Sequence, residues 1–214
     1  QLGQNLHIVG GVLSMYDGQS VVEHGFHLYP ENLACTPATS GGALADGTYA
    51  VVVVYEWTDN FGQVHRSAPS VAESVVVSGG SDSGAIEVDV PTLRLTAKTG
   101  GRTDVSIVGY ISEANADGSV LYRFTSVSSP TLNDPRADTV TIEAASVSLS
   151  NEILYTTGGV LEHLAPPASS AIAVYKNRIV LAGLETENDV WLSKEYKNGE
   201  AVGFSDQIKK SVEP

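Results

Sequence analysis

The sequence predicts an all-β chain built from antiparallel sheets. Helical periodicity is nearly absent, β-branched and aromatic runs recur about every ten residues, and Gly, Asn, Asp, Ser or Pro closes each run. Asp17-Gly18, Asp46-Gly47, Asn60-Phe61-Gly62, Asp117-Gly118 and Asn198-Gly199 supply the turns, because Gly and Asn take positive φ at little cost.

Taken in order, stretches 6–13 and 19–28 flank Asp17-Gly18 and read as strands, and 31–45, with Pro37, Gly41 and Gly42, reads as a loop. Residues 1–45 are thus a first unit. From 46 to 145 come strands at 48–58, Val64–Arg66, Glu73–Val77, 85–95, 104–112, 120–127 and 139–143. Seven strands in roughly 100 residues have the size of an immunoglobulin-like or fibronectin type III β-sandwich. Along 48–58, Tyr49, Val51, Val53 and Tyr55 share one face while Ala50, Val52, Val54 and Glu56 share the other. Apolar residues on both faces suit a central strand between packed layers.

Residues 146–170 read as a linker, since Leu164-Ala165-Pro166-Pro167 fits neither a helix nor a central strand. The last unit, 171–214, holds Ala171–Tyr175 and 178–183, joined tightly at Lys176-Asn177. Asp189–Ser193 follows across Glu185-Thr186-Glu187-Asn188, and then a polar loop. Three short strands are most of one propeller blade or one small sheet, and such a sheet needs a neighbour.

At 214 residues the chain is long enough for one large or two small cores. Its single Cys35 has no internal disulfide partner, and no Asn-x-Ser/Thr acceptor marks a secretory route. No apolar run reaches the roughly 20 residues that cross a bilayer, and Gln1-Leu2-Gly3-Gln4-Asn5 lacks the basic start of a signal peptide, so a soluble protein is expected. A start without Met, and an end on the strand-like Lys209-Lys210-Ser211-Val212-Glu213-Pro214, are expected of a piece of a longer chain.

The net charge of −13 is unevenly placed. Residues 1–65 contain no Lys or Arg, against Asp17, Glu23, Glu31, Asp46, Glu56 and Asp59. Proteins that grip nucleic acid concentrate basic residues to neutralise phosphates, and this chain does the reverse. Its acidity fits either a solubility role or a wall that DNA passes without sticking.

No residue set has the pattern of an active site, a cofactor site or a metal centre, so none is assigned. His24 and His27, three apart on an expected strand, point to opposite faces and read as packing or surface residues, while His7, His65 and His163 stand alone. There is no Gly-x-Ser-x-Gly elbow, and Cys35 lacks the surroundings of an activated thiol. Glu87 and Asp89 share a strand face, as paired acids of a glycosidase would, but the solvated face of a sandwich explains them better. The pairs Gly10-Gly11, Gly41-Gly42, Gly79-Gly80, Gly100-Gly101 and Gly158-Gly159 precede neither helices nor Lys-Ser/Thr and read as turns and bulges. Asp82, in a run of small residues from Ser78 to Gly84, is a lone candidate calcium ligand that reads better as loop. Trp57 and Trp191 are candidates for stacking on sugars, although a strand Trp usually serves a core or an interface.

One resemblance covers most of the chain. Val9-Gly10-Gly11-Val12-Leu13-Ser14-Met15-Tyr16-Asp17-Gly18, Val22-Glu23-His24-Gly25-Phe26, Tyr175-Lys176-Asn177-Arg178-Ile179-Val180-Leu181-Ala182-Gly183, Val190-Trp191-Leu192-Ser193 and Phe204-Ser205 are similar to propeller-like blades of the tail nozzle, or tail tubular protein B, group of short-tailed bacteriophages. Gly47-Thr48-Tyr49 through Tyr55, Gly62, Ser67-Ala68-Pro69-Ser70 and Val105-Ser106-Ile107-Val108-Gly109-Tyr110-Ile111 resemble the fibronectin-type domain often inserted in phage tail proteins. Where such inserts often carry Tyr-Arg, this chain has Tyr110-Ile111-Ser112, so nothing conferred by that Arg carries over.

The resemblance implies a sandwich inserted between two parts of a β-platform, with 1–45 and 168–214 meeting in space. It implies a structural, non-enzymatic virion protein, made in the host cytoplasm, that forms a homo-oligomeric ring beside neighbouring tail or portal-adaptor proteins. DNA would pass through this genome-ejection conduit without being specifically bound. Two alternatives remain from the residues: a carbohydrate-binding or adhesion module using exposed aromatics, and a polysaccharide-degrading enzyme.

Overall fold

The computed structural model describes residues 1–79, 82–98, 104–186 and 188–211, which hold sixteen strands in four antiparallel sheets and no helix. The first part carries β1 (Leu6–Ile8), β2 (Ser14–Tyr16), β3 (Val21–Glu23) and β4 (Ala34–Ala38). The middle carries β5 (Gly47–Thr58), β6 (Val64–Arg66), β7 (Glu73–Val77), β8 (Ala85–Pro91), β9 (Ser106–Ile111), β10 (Tyr122–Arg123), β11 (Thr131–Leu132) and β12 (Thr139–Ala144). Last come β13 (Ala171–Tyr175), β14 (Arg178–Ala182), β15 (Asp189–Ser193) and β16 (Phe204–Ser211). Gly80, Gly100, Gly101, Glu187 and the terminal Val212-Glu213-Pro214, named above, lie outside the described residues.

The centre of the fold is β5, whose run of valines and aromatics buries both faces. Tyr49, Val51, Val53, Tyr55 and Trp57 point into the main core, against Ile86, Val88 and Val90 of β8. Val52 and Val54 point the other way, into a second core with Val108, Tyr110, Leu121 and Leu154. Each such side chain contributes about 1.5–3 kcal/mol when fully buried, so strand register is strongly specified here.

Two sheets build the sandwich. In one, β5 pairs with β9 along one edge and with both β6 and β7 along the other, while β10 and β11 extend β9. The second runs β12-β8-β4. Between β6 and β7 the chain lifts off β5 at Ser67-Ala68-Pro69-Ser70, where Pro69 has no N–H to donate. The ladder survives because Ser67 and Ser70 each donate a backbone N–H to β5 and accept one at the hydroxyl: Val53 N–H to Ser70 Oγ (3.0 Å) and Tyr55 N–H to Ser67 Oγ (2.9 Å).

Several expected elements are corrected. The single strand 6–13 ends at Ile8, because Gly10 and Gly11 take φ of 128° and 139°, and β2 occupies residues between the two expected strands, before the Asp17-Gly18 turn. The strand 19–28 shortens to β3, and 120–127 shortens to β10. The loop 31–45 contains β4, an edge strand of the sandwich that tolerates Pro37. The short β11 was not foreseen, and the final polar loop is β16, which makes the last sheet a four-stranded meander, β13-β14-β15-β16.

Residues 146–170 hold no strand, yet they are far from free. Leu154 covers the second core, the Tyr155 hydroxyl donates to the Ser67 carbonyl at 2.9 Å, and Glu152 pairs with Arg66 and Arg123. The segment then runs beside Phe204, with which Leu164 forms a bridge.

The first and last parts share a third core. Leu2 and Leu13 pack with Ile179, Leu181, Val202 and Phe204, and Gly10 and Gly11 donate to the Ser169 carbonyl. The chain at Glu200–Ala201 also lies along the free edge of β6, through Val64. The sandwich therefore abuts both flanking parts at its β5–β6 end.

Candidate functional site

The residues singled out in the sequence are mostly scattered. Trp57 is 3 % exposed inside the main core, so it presents no face to a sugar. Trp191 packs on the third core and borders a cleft of about 280 Å³ shared with Leu28, Tyr29 and Ala165. Glu87 and Asp89 lie on the outer face of β8, opposite Glu143 and Thr141, and Asp89 accepts a hydrogen bond from Thr141. Cys35 is half-buried on β4, and burial, helped by Glu73 and Asp89, pushes its thiol up to about 11. Such a thiol carries almost no thiolate at neutral pH. Asp82 is exposed at positive φ. Among the described residues, no group of three or more His, Cys, Asp or Glu is arranged to hold a metal ion.

The N-terminal sheet is two-faced in an unusual way. Its register aligns His7, Met15 and Val22 in one row and Leu6, Tyr16 and Val21 in the next. The first row is buried. The second faces solvent, with Leu6 48 %, Tyr16 39 % and Val21 58 % exposed, and Ile8 and Val12 extend it. Aligned apolar side chains on an outer sheet face are a feature of contact surfaces, whereas single exposed ones are ordinary.

The final meander repeats the pattern. Ile172, Ile179, Leu181 and Trp191 face the third core, while Ala173, Val180 and Leu192 stand in register on the opposite face, beside the exposed Tyr175. Its β13 has one neighbour and so presents a bare backbone edge.

Behind the first of these faces lies a cluster that the sequence concealed. His7 on β1, His24 after β3 and His65 on β6 stack edge to face, with ring centroids 5.2 and 6.3 Å apart. Of His24 and His27, read together as packing or surface residues, His24 is buried and His27 is exposed, and neither lies on a strand. His7 and His65, which stand alone in sequence, join it through folding. His24 Nε2 donates to the Val202 carbonyl at 2.8 Å, and His65 Nε2 lies 3.2 Å from Asp59 Oδ2. Asp59 in turn accepts from Asn5 and from the Phe61 and Gln63 amides. Both His7 nitrogens, and Nδ1 of His24 and of His65, are buried without a hydrogen bond.

Burial favours the neutral imidazole throughout. It pushes His7 down to about 4, lowers His24 well below its ordinary value, and lowers His65 despite the attraction of Asp59. Lys98 flanks the cluster, fully buried, donating to the Glu23 and Gly25 carbonyls and paired with Glu23 Oε1 at 2.8 Å, with its ammonium over the Phe26 and Trp57 rings. Both members of the Lys98–Glu23 pair shift downward, for different reasons. Burial pulls the ammonium down to about 8. Burial would also raise the Glu23 carboxyl, but Lys98 and hydrogen bonds from Thr96 and Ala97 outweigh it and hold Glu23 below its ordinary value.

Two turns named in the sequence dock on each other beside this cluster. Asp17 accepts from the Asn60 amide at 3.1 Å, and the Asn60 side chain donates to the Asp17 carbonyl. The N-terminal sheet is therefore fastened to the sandwich by polar contacts that are satisfied at its rim and histidines that are unsatisfied within. A cleft of about 360 Å³ lies between Arg66, Glu152, Tyr155, His163, Lys194 and Glu200, and its charges are mixed in sign.

Compared with known proteins, the chain matches no family model, no curated protein and no solved structure, and its function rests on its own residues.

Proposed function

We propose that this chain is a structural assembly module of a virion tail, a nozzle or tail-tube component whose sheets complete the buried surface of neighbouring subunits in a ring. The carrying observation is the outward row Leu6, Tyr16 and Val21, apolar, in register and exposed. The apolar outer side of the meander and the bare β13 edge support the same reading, since both call for a neighbour. The net charge of −13, with no Lys or Arg before Arg66, supports a conduit wall that does not hold DNA.

Analytical ultracentrifugation tests it. Self-association, or binding of an adjoining tail component, is expected. Leu6→Lys together with Val21→Lys should abolish that association without lowering thermal stability, because neither side chain is part of a core. A chain that stays monomeric at high concentration and binds no tail component sinks the proposal.

A second reading, a carbohydrate-binding module, is favoured only by the cleft between Tyr29 and Trp191. It predicts glycan-array binding that Trp191→Ala removes.

A further inference from the structure

We propose that His7, His24 and His65 form an acid-sensitive latch: protonation of this buried row releases the N-terminal three-stranded sheet from the end of the sandwich while the sandwich stays folded. The three rings come from three different elements, β1, the exit of β3 and β6, so that they close the joint between parts of the chain. Their unpaired nitrogens are ready acceptors for protons, but only His65, beside Asp59, has a buried counter-charge, and His7 and His24 have none.

The surrounding groups make a charge here costly. His7 faces His65, and the Leu2 carbonyl favours its protonation without a hydrogen bond of good geometry. His24 faces His7, His65 and Lys98, with the Val202 carbonyl as its one favourable neighbour and the Phe204 ring at its edge. His65 faces Asp59, Asp17 and Lys98, and the Trp57 ring packs on it. Asp59 already accepts from Asn5, Phe61 and Gln63, and Asp17 from Gln19, Ser20 and Asn60. Arg66 and His163 border the small gap between His24 and His65, and Glu23 is engaged by Lys98. The β5–β9 seam beyond the joint pairs largely aliphatic residues from Val51 to Glu56.

The sign follows from linkage. Each histidine binds its proton more weakly when the sheet is docked than when it is free, so docking is fully supported above about pH 6.5 and weakens as pH falls toward about 4. At pH 5, His7 alone, moving from about 4 docked to 6.5 free, shifts the docking equilibrium roughly thirtyfold. A comparison confined to about pH 7.5 to about 5 stays above the ordinary carboxylate range of about 4, which separates the histidines from the carboxylates.

Hydrogen exchange, which detects rare local opening, tests the latch in the intact chain. Between about pH 7.5 and about pH 5, protection of the β1, β2 and β3 amides should fall at least thirtyfold after correction for the intrinsic rate, while protection in β5 and β9 holds. In His7→Phe, which removes a buried group that makes no hydrogen bond, the fall should shrink by about the same factor. Should that variant fail to fold, the wild-type contrast between the N-terminal sheet and β5 still decides. Protection of the N-terminal sheet that persists to pH 5, a loss shared equally by β5 and β9, or an unchanged fall in His7→Phe would each overturn the latch. None of these outcomes bears on self-association, so the latch and the assembly reading fail separately.

Discussion

At the scale of single residues, the structure sets chemistry where the sequence shows only composition. Lys98 is an ordinary lysine in the sequence, yet folding sinks it among Phe26, Trp57 and Glu23, where its ammonium satisfies two backbone carbonyls of the N-terminal segment. Lys98→Met should cost about 3–5 kcal/mol, because it leaves two carbonyls without their donor and Glu23 without its counter-charge, and urea unfolding reads that loss directly. A cost below about 1 kcal/mol would mean that the pair is solvated like a surface one. The histidines make the same point. His24 and His27 were expected on one strand, but β3 ends at Glu23 and both lie beyond it, so alternation does not decide their burial, and His7 and His65 meet His24 only through contacts more than 16 residues away in sequence.

At the scale of elements, the long strand was legible and the short ones were not. β5 carries enough alternating apolar residues to declare both its buried faces, and its length agrees with expectation within one residue. β4 contains Pro37 and only weak alternation, and pairing with β8 overrides its poor local preference. β10 and β11, at two residues each, exist only because β9 offers partners. Gly41-Gly42 was expected to mark a turn or bulge, and the reason for the second glycine is now specific. A methyl group at Gly42 would stand 2.4 Å from the Gly84 carbonyl oxygen and 2.5 Å from that of Ala145, both in backbone that cannot swing aside. Gly42→Ala should therefore cost about 2–4 kcal/mol, seen as a lower denaturation midpoint with an unchanged slope, whereas Gly62→Ala meets open space and bears only the penalty of positive φ.

At the scale of the whole molecule, a charge of −13 repels itself in the folded state. Raising salt from about 0.02 M to about 0.5 M should raise the melting temperature by a few degrees, because screening relieves that repulsion more than it weakens the buried pairs. A fall in melting temperature would show that ion pairs such as Arg66–Glu56 outweigh it. The sequence by itself determined the all-β class, most of the turns, the central strand and the acidic first third, since these follow from local pattern and composition, whereas Gly47, read as a turn residue, opens β5. Tertiary structure decided what those parts do to one another: that Asp17-Gly18 docks on Asn60, that residues 146–170 cover a core, and that three histidines share one buried joint. The physical reason is range. Alternation and turn chemistry act over a few residues, whereas desolvation of an imidazole or an ammonium depends on which distant elements close over it.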